Sequence, residues 1–200
     1  MSYVELIVVL SIFAIMSSIA IFNYGDFQAN VDIRNLASDI ALQIVTAQKS
    51  ALNGASPSSG FFCATATVTC KPSYGVYFDK SPTNDNSDNK PFNTKFIYFA
   101  DLNNAGGYDP GDTSNIITIT KGNHILNIDK CSTDSCDLGS NPIPISPLSV
   151  VFKRPDSGAV FNNSPTLVTG SEYIKITIES ANKKVTSSIR IYPSGRVQIR

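Results

Sequence analysis

"MSYVELIVVLSIFAIMSSIAIF", residues 1–22, decides how the rest of the chain is read. From Leu6 to Phe22 every residue is apolar, Ala or Ser, and the one charged side chain of the stretch is Glu5. An acid at that depth in a bilayer costs about 2.5–3.5 kcal/mol on insertion scales, so its presence calls for a function. The run is long enough to span, at about 20 residues per bilayer. Its flanks are unusual. The first basic residue is Arg34, so the basic n-region of a signal peptide and the Lys or Arg edge of a plain anchor are both missing.

Working outward, 200 residues suit one domain with an appendage, or a single large domain. Net charge and mean hydropathy are both zero, which gives no global field toward nucleic acid or an anionic surface. That average conceals a hydrophobic handle on a polar body, for Ser81–Lys90 is almost wholly polar. Cys63, Cys70, Cys131 and Cys136 form two close pairs. An even count in a tethered body predicts the disulfides Cys63–Cys70 and Cys131–Cys136 in an oxidising compartment. The competing use is a zinc site, for which neither pair has the CxxC spacing and His124 is the one histidine.

Past "NYGDF", the segment ending in "TAQKSALNG" spaces Val31, Leu36, Ile40, Ile44, Ala47 and Ala51 three to five apart. This predicts an amphipathic helix with one apolar stripe, stopped at Asn53-Gly54. Unbroken from Ser2 to Leu52 it would be a rod about 75 Å long. Asn23 and Gly25 are its weak point. From Gly54 onward the pattern turns to short alternating runs: "FFCATATVTC", "YGVYFD", "KFIYFA", "NIITIT", "HILNID", "LSVVFK", "EYIKITIES", "SSIRIYP" and "GRVQIR". Ile174, Ile176 and Ile178 alternate with Lys175, Thr177 and Glu179, as a half-buried antiparallel sheet requires. "YPSGR" reads as the turn between the last two strands. The expected class is α+β: a long N-terminal helix with a protruding hydrophobic half and an amphipathic half packed on an antiparallel β-sheet body. The units are 1–25, 26–53 and 54–200.

Met1-Ser2-Tyr3-Val4-Glu5-Leu6-Ile7-Val8-Val9-Leu10 resembles the mature N-terminus of bacterial type IV pilins and type II secretion pseudopilins. The match is specific over about the first 25 residues, and the helix-then-β order extends it to the whole chain. The ending "IRIYPSGRVQIR" resembles the closing strands of minor pilins and pseudopilins. Two positions depart from the family: Met1 stands where Phe is usual, and Phe22 where a helix-breaking proline is usual. The resemblance implies cleavage by a prepilin peptidase before Met1 and methylation of that residue. A start codon at Met1 is the other reading. It further implies insertion in the inner membrane, handling by pilus assembly machinery, and polymerisation of identical subunits into a helical filament at the cell surface. Glu5 then has a partner, the amine of residue 1 on a neighbouring subunit, whose ordinary pKa is about 7.7–8.0. Such a pair acts as a register device, since breaking it costs more than forming it contributes. Leu6, Ile7, Leu10, Phe13 and Ile19 would supply the apolar cohesion. The alternatives are a secretion pseudopilin, a minor or DNA-uptake pilin, and a monomeric membrane-anchored β-domain with Glu5 reaching the interface.

"DLNNAGGYDPGD" is the second informative stretch. Counted from Asp101, oxygen-bearing residues fall at positions 1 (Asp101), 3 (Asn103), 9 (Asp109) and 12 (Asp112), with Gly106 at position 6. That is the spacing of a calcium loop, although Ala105 lacks a ligand at position 5 and Asp112 replaces the longer Glu. A polar Asn/Gly/Asp turn uses the same residue types.

Enzyme readings find no HExxH, GxSxG, P-loop or Rossmann pattern. Lys175, Arg190, Arg196 and Arg200, with Tyr173 and Tyr192 interleaved, resemble a nucleic-acid grip. Glu172 and Glu179 beside them favour an ordinary solvated sheet face, so nucleic acid is not the expected partner.

Overall fold

The computed structural model describes residues 2–56, 72–85, 88–103, 105–109, 111–132, 136, 142–163 and 166–200, with the side chains of 19–23, 113 and 114 outside that set. Met1, Cys63, Cys70, Ile19 and the expected strand at 61–70 therefore lie outside the described residues or side chains.

Helix α1 runs over Tyr3–Asn53. It continues through Gly25, so the backbone is helical at the weak point that Asn23 and Gly25 mark. Gly54 caps it in the left-handed conformation, φ 60°, donating its N–H to Ala51 O at 3.1 Å, while Ala55 N–H reaches Ser50 O at 3.0 Å. These bonds satisfy carbonyls that the helix end leaves open. The buried stripe is Ile33, Ala37, Ile40, Ile44, Ala47 and Ala51. Val31, expected on it, is half-exposed, and Ile33 begins the stripe instead.

The body holds eleven strands among the described residues: β1 (Ser73–Phe78), β2 (Lys95–Asp101), β3 (Thr113–Thr118), β4 (His124–Cys131), β5 (Ile143–Pro144), β6 (Leu148–Phe152), β7 (Ala159–Asn163), β8 (Thr166–Leu167), β9 (Tyr173–Glu179), β10 (Thr186–Ile191) and β11 (Val197–Ile199). A 3-10 turn at Phe92–Thr94 leads into β2. Pairing is antiparallel throughout. One sheet has six strands in the order β3-β2-β1-β6-β7-β8 and the other five in the order β11-β10-β9-β4-β5.

This corrects the expected class, an α+β pilin-like chain with a protruding hydrophobic half-helix and an amphipathic half packed on an antiparallel β-sheet body. The chain is mostly β, in two sheets, with a helical N-terminus. Among the described residues no helix is long and apolar enough to cross a membrane. The error over the sheets has a physical cause. Alternation reports that a strand has a buried face, but the number of sheets depends on which distant strands pair.

One apolar cluster joins the three layers. Ile40 and Ile44 of α1 meet Val76 and Phe78 of β1, Val150 and Phe152 of β6, and Ile174, Ile176, Ile189 and Ile191 of β9 and β10. Burial of such side chains is worth about 1.5–3 kcal/mol each, which is what holds the helix across both sheets. The six-stranded sheet is buried on both faces at β1, where Tyr108 packs its ring against Tyr77 on the back.

Candidate functional site

The loop 101–112 leaves the end of β2 and returns into β3. Asp101 is fully buried. Its Oδ1 accepts the N–H of Ala105 at 3.1 Å and its Oδ2 the N–H of Gly106 at 2.9 Å. Gly106 has φ 90°, a conformation in which a side chain is strained, so position 6 of the loop needs glycine. Asn103 Oδ1 also accepts from Ala105 N–H at 2.8 Å, and Asn103 Nδ2 donates to Asp109 Oδ2 at 3.1 Å. Asp112 closes the loop: its Oδ1 accepts Leu102 N–H at 3.2 Å and its Oδ2 accepts Asp109 N–H at 2.8 Å. Burial pushes the Asp112 carboxyl above the ordinary range; its two backbone donors oppose this, and the charges of Asp101 and Asp109 add to it.

Four residues with no motif signal hold this loop in place. Tyr108 packs its ring 5.0 Å from Tyr77 and 5.5 Å from Phe99 on the back of the six-stranded sheet. Its N–H donates to Ser149 Oγ at 3.1 Å. Asn162 Nδ2 donates to Gly106 O at 3.0 Å, while Asn162 Oδ1 is buried without a partner among the described residues. Burial, then the charge of Asp79, raises the Tyr77 phenol above its ordinary value.

The donors of the loop are all oxygen, the chemistry a hard cation such as calcium prefers. Each carboxylate oxygen has two lone pairs, so one N–H apiece leaves capacity on Asp112. Of the four expected ligands the structure links three, Asn103 to Asp109 and Asp109 to Asp112, while Asp101 shares the Ala105 N–H with Asn103. Among the described residues it gathers no group of three His, Cys, Asp or Glu able to hold a metal ion. The residues fit calcium by type, and a cage would require Asn103 and Asp109 to turn inward.

The second candidate surface is the N-terminal part of α1. Glu5 lies in the first helical turn and is exposed. The helix N-terminus favours a carboxylate there. Leu6, Leu10 and Phe13 are exposed as well, Phe13 at 69%. Beyond Ile33 the same helix buries its stripe in the body.

Of the cysteines, Cys131 and Cys136 are bonded to each other, with a Cα–Cα distance of 5.7 Å. This excludes them from a zinc site. The bridge lies where β4 ends beside β9, Cys131 pairing with Tyr173.

Of the basic residues of the last strands, Arg190 is withdrawn from the surface. Arg190 is 2% exposed and stacks on the buried ring of Tyr173, its guanidinium 4.7 Å from the centroid. Tyr173 and Tyr192 are 5.6 Å apart, and Arg196 covers Tyr192 at 3.9 Å, so arginine and tyrosine occupy each other's faces. Lys175 lies between Arg190 and Asp129 in register. Burial raises the Asp129 carboxyl, and the charges of Lys175 and Lys80 pull it back. Arg196 and Arg200 are exposed.

Comparison with family models, curated proteins and solved structures finds no match for this chain.

Proposed function

We propose that this chain is a structural filament subunit of the type IV pilin and pseudopilin kind. Copies associate through the N-terminal part of α1, and Glu5 pairs with the amine of residue 1 on a neighbouring copy. One observation carries the reading: a continuous apolar helical surface from Tyr3 to Met16, with Glu5 in its first turn, is exposed, while the same helix is buried from Ile33 on. Contiguous apolar surface of that extent marks an interaction site. The acid within it discriminates register, because a desolvated carboxylate without its cation is costly. Prepilin peptidase processing before Met1, an inner-membrane stage and export to a surface fibre belong to the same reading.

Electron microscopy of sheared cell-surface material tests it. Long fibres made mainly of this chain are expected from the wild type. Glu5→Ala should leave the body folded and remove the fibres; normal fibres from that variant would overturn the pairing. Mass determination of the first residue and its methylation tests processing separately.

A pseudopilin role is the second reading, and the oxygen-only loop at Asp101–Asp112 favours it over a simple pilus shaft. Calcium would be held by Asp101, Asn103, Asp109 and Asp112, and would stabilise the folded loop by mass action. Failed enzyme secretion on deletion, with no surface fibres, would select this role. Isothermal calorimetry of the full chain with calcium decides the metal: absence of heat at millimolar calcium removes it.

A further inference from the structure

The two flanks of α1 are charged differently. Arg34 and Asp39 are both exposed and sit five positions apart on the helix, about 140° around its axis. Neither has an opposite charge three or four residues away, the spacing at which helical pairs form: Arg34 has Asn30, Val31, Ala37 and Ser38, and Asp39 has Leu36, Asn35, Leu42 and Gln43. Among the described residues neither makes a salt bridge, whereas Asp26 and Asp32 on the same helix are paired with Lys184 and Lys121.

Each of the two charges rims a groove with an apolar floor. On one flank, Arg34 and Arg200 border a cavity of about 440 Å³ lined by Ile33, Val185 and Ile199. On the other, Asp39 borders a cavity of about 200 Å³ lined by Leu36, Phe96 and Ile117. There Asp32 is already held by Lys121 at 2.6 Å, which leaves Asp39 as the charge to be met. Between the flanks the helix presents Leu42, 60% exposed, and Phe27.

The geometry points to a head-to-tail contact between copies of this chain, in which the Arg34 flank of one seats against the Asp39 flank of the next. This rests on the reading of the chain as a self-associating subunit and names the surface that sets its lateral register. The occupant is a second copy because the two flanks complement each other in charge on a chain whose net charge is zero. Flanks facing away from each other also cannot both be used in one closed contact, so the interface is heterologous and propagates.

Arg34→Lys keeps the charge and supplies an amine that a carbodiimide joins to a contacting carboxylate. The full-length variant, half of it ¹⁵N-labelled, is treated in detergent at about 0.02 M salt, where charge acts over more than about 10 Å, and again at about 0.5 M. The expected product is a 34–39 cross-link between labelled and unlabelled copies, in a ladder beyond the dimer, at least about tenfold weaker at the higher salt. Arg34→Asp should weaken the salt-sensitive self-association of the otherwise native chain, read by sedimentation, by about tenfold or more, and adding Asp39→Arg should restore it. Absence of the 34–39 link at low salt, a product that stops at the dimer, or a double variant no better than the single overturns the inference. Thermal melts check that both exposed substitutions leave the fold intact. Microscopy of wild-type fibres bears on the filament reading alone, so the two can fail separately.

Discussion

Asp101, buried at the end of β2, accepts the N–H of Gly106 at 2.9 Å and so brings Gly106 back to its own carboxylate. Two backbone donors converge on this one side chain, those of Ala105 and Gly106. Asp101→Ala leaves the buried Gly106 N–H without it, at about 1–3 kcal/mol for a buried polar group stripped of its partner, while Ala105 N–H keeps Asn103 Oδ1. Urea unfolding at neutral pH is expected to show a loss of that size. The same variant should show no thermal shift on adding calcium where the wild type does. A calcium shift that survives in Asp101→Ala would remove this loop as the metal site.

Lys95 makes the stability of the 81–95 loop depend on pH. Its ammonium, 1% exposed, lies 2.6 Å from Asp85 Oδ2 and 2.7 Å from Asp88 Oδ1. Burial alone would lower the Lys95 pKa, but hydrogen bonds and charge from the two aspartates raise it above 10.5. The hydrogen bond from Lys95 lowers Asp88 below 3.8. The signs follow from proton binding. The Lys95 contribution is complete below its ordinary value of 10.5 and is lost as pH rises through the raised one. The Asp88 contribution is present above 3.8 and is lost as pH falls through the lowered value. Melting temperature against pH should therefore be flat in between with a fall at each end, and Lys95→Met should flatten the contribution of this loop at both. Identical pH profiles for the two proteins would show that the pair is energetically silent.

Gly195, in the turn between β10 and β11, has φ 82° and lies against the C-terminal half of α1. A Cβ there would stand 2.4 Å from Ser157 O and 2.3 Å from Gln48 Nε2. The Gln48 amide can move only by giving up its hydrogen bond to Ser157 O, that oxygen is a backbone atom, and the left-handed conformation adds strain of its own. Gly195→Ala is expected to destabilise by about 1–3 kcal/mol. Loss should appear in the denaturant midpoint with an unchanged slope. An unshifted midpoint would mean that the turn can withdraw from the helix at no cost.

The Cys131–Cys136 bridge closes a small loop, five residues apart in sequence. Chain-entropy arithmetic gives about 2 kcal/mol for a loop of that size. Cys131→Ser with Cys136→Ser should lower stability by about that amount and leave the helical signal near 222 nm, which α1 dominates, unchanged. A loss of helical signal would place the bridge in the support of α1 itself.

Local signals were legible. The C-cap at Gly54, the stripe through Ile40, Ile44, Ala47 and Ala51, and the strands at β1, β2, β4, β6, β9, β10 and β11 all answer to periods of 3.6 or 2 in the residues themselves. The short β5, β7 and β8 gave no such pattern; two of them are two residues long, and their pairing is decided by neighbours. The candidate calcium residues Asp101, Asn103, Asp109 and Asp112 are proposed from spacing. Their anchors Tyr77, Ser149 and Asn162 could not be, because each reaches the loop from a distant part of the chain. Arg190 shows the same limit: its alternation in β10 says that it faces outward, and only the covering of that face buries it against Tyr173.

By itself the sequence determined an N-terminal helix with an acid in its first turn, a stop at glycine, a β-rich remainder and a disulfide between near neighbours. Those depend on residues close along the chain, where propensity, capping and short loop closure act. The tertiary structure alone decided that the strands divide into two sheets, that the helix binds both, and that Arg34 and Asp39 lie on opposite flanks with unlike surroundings. These follow from contacts between residues tens to more than a hundred positions apart, whose pairing is selected by burial and register across the whole core.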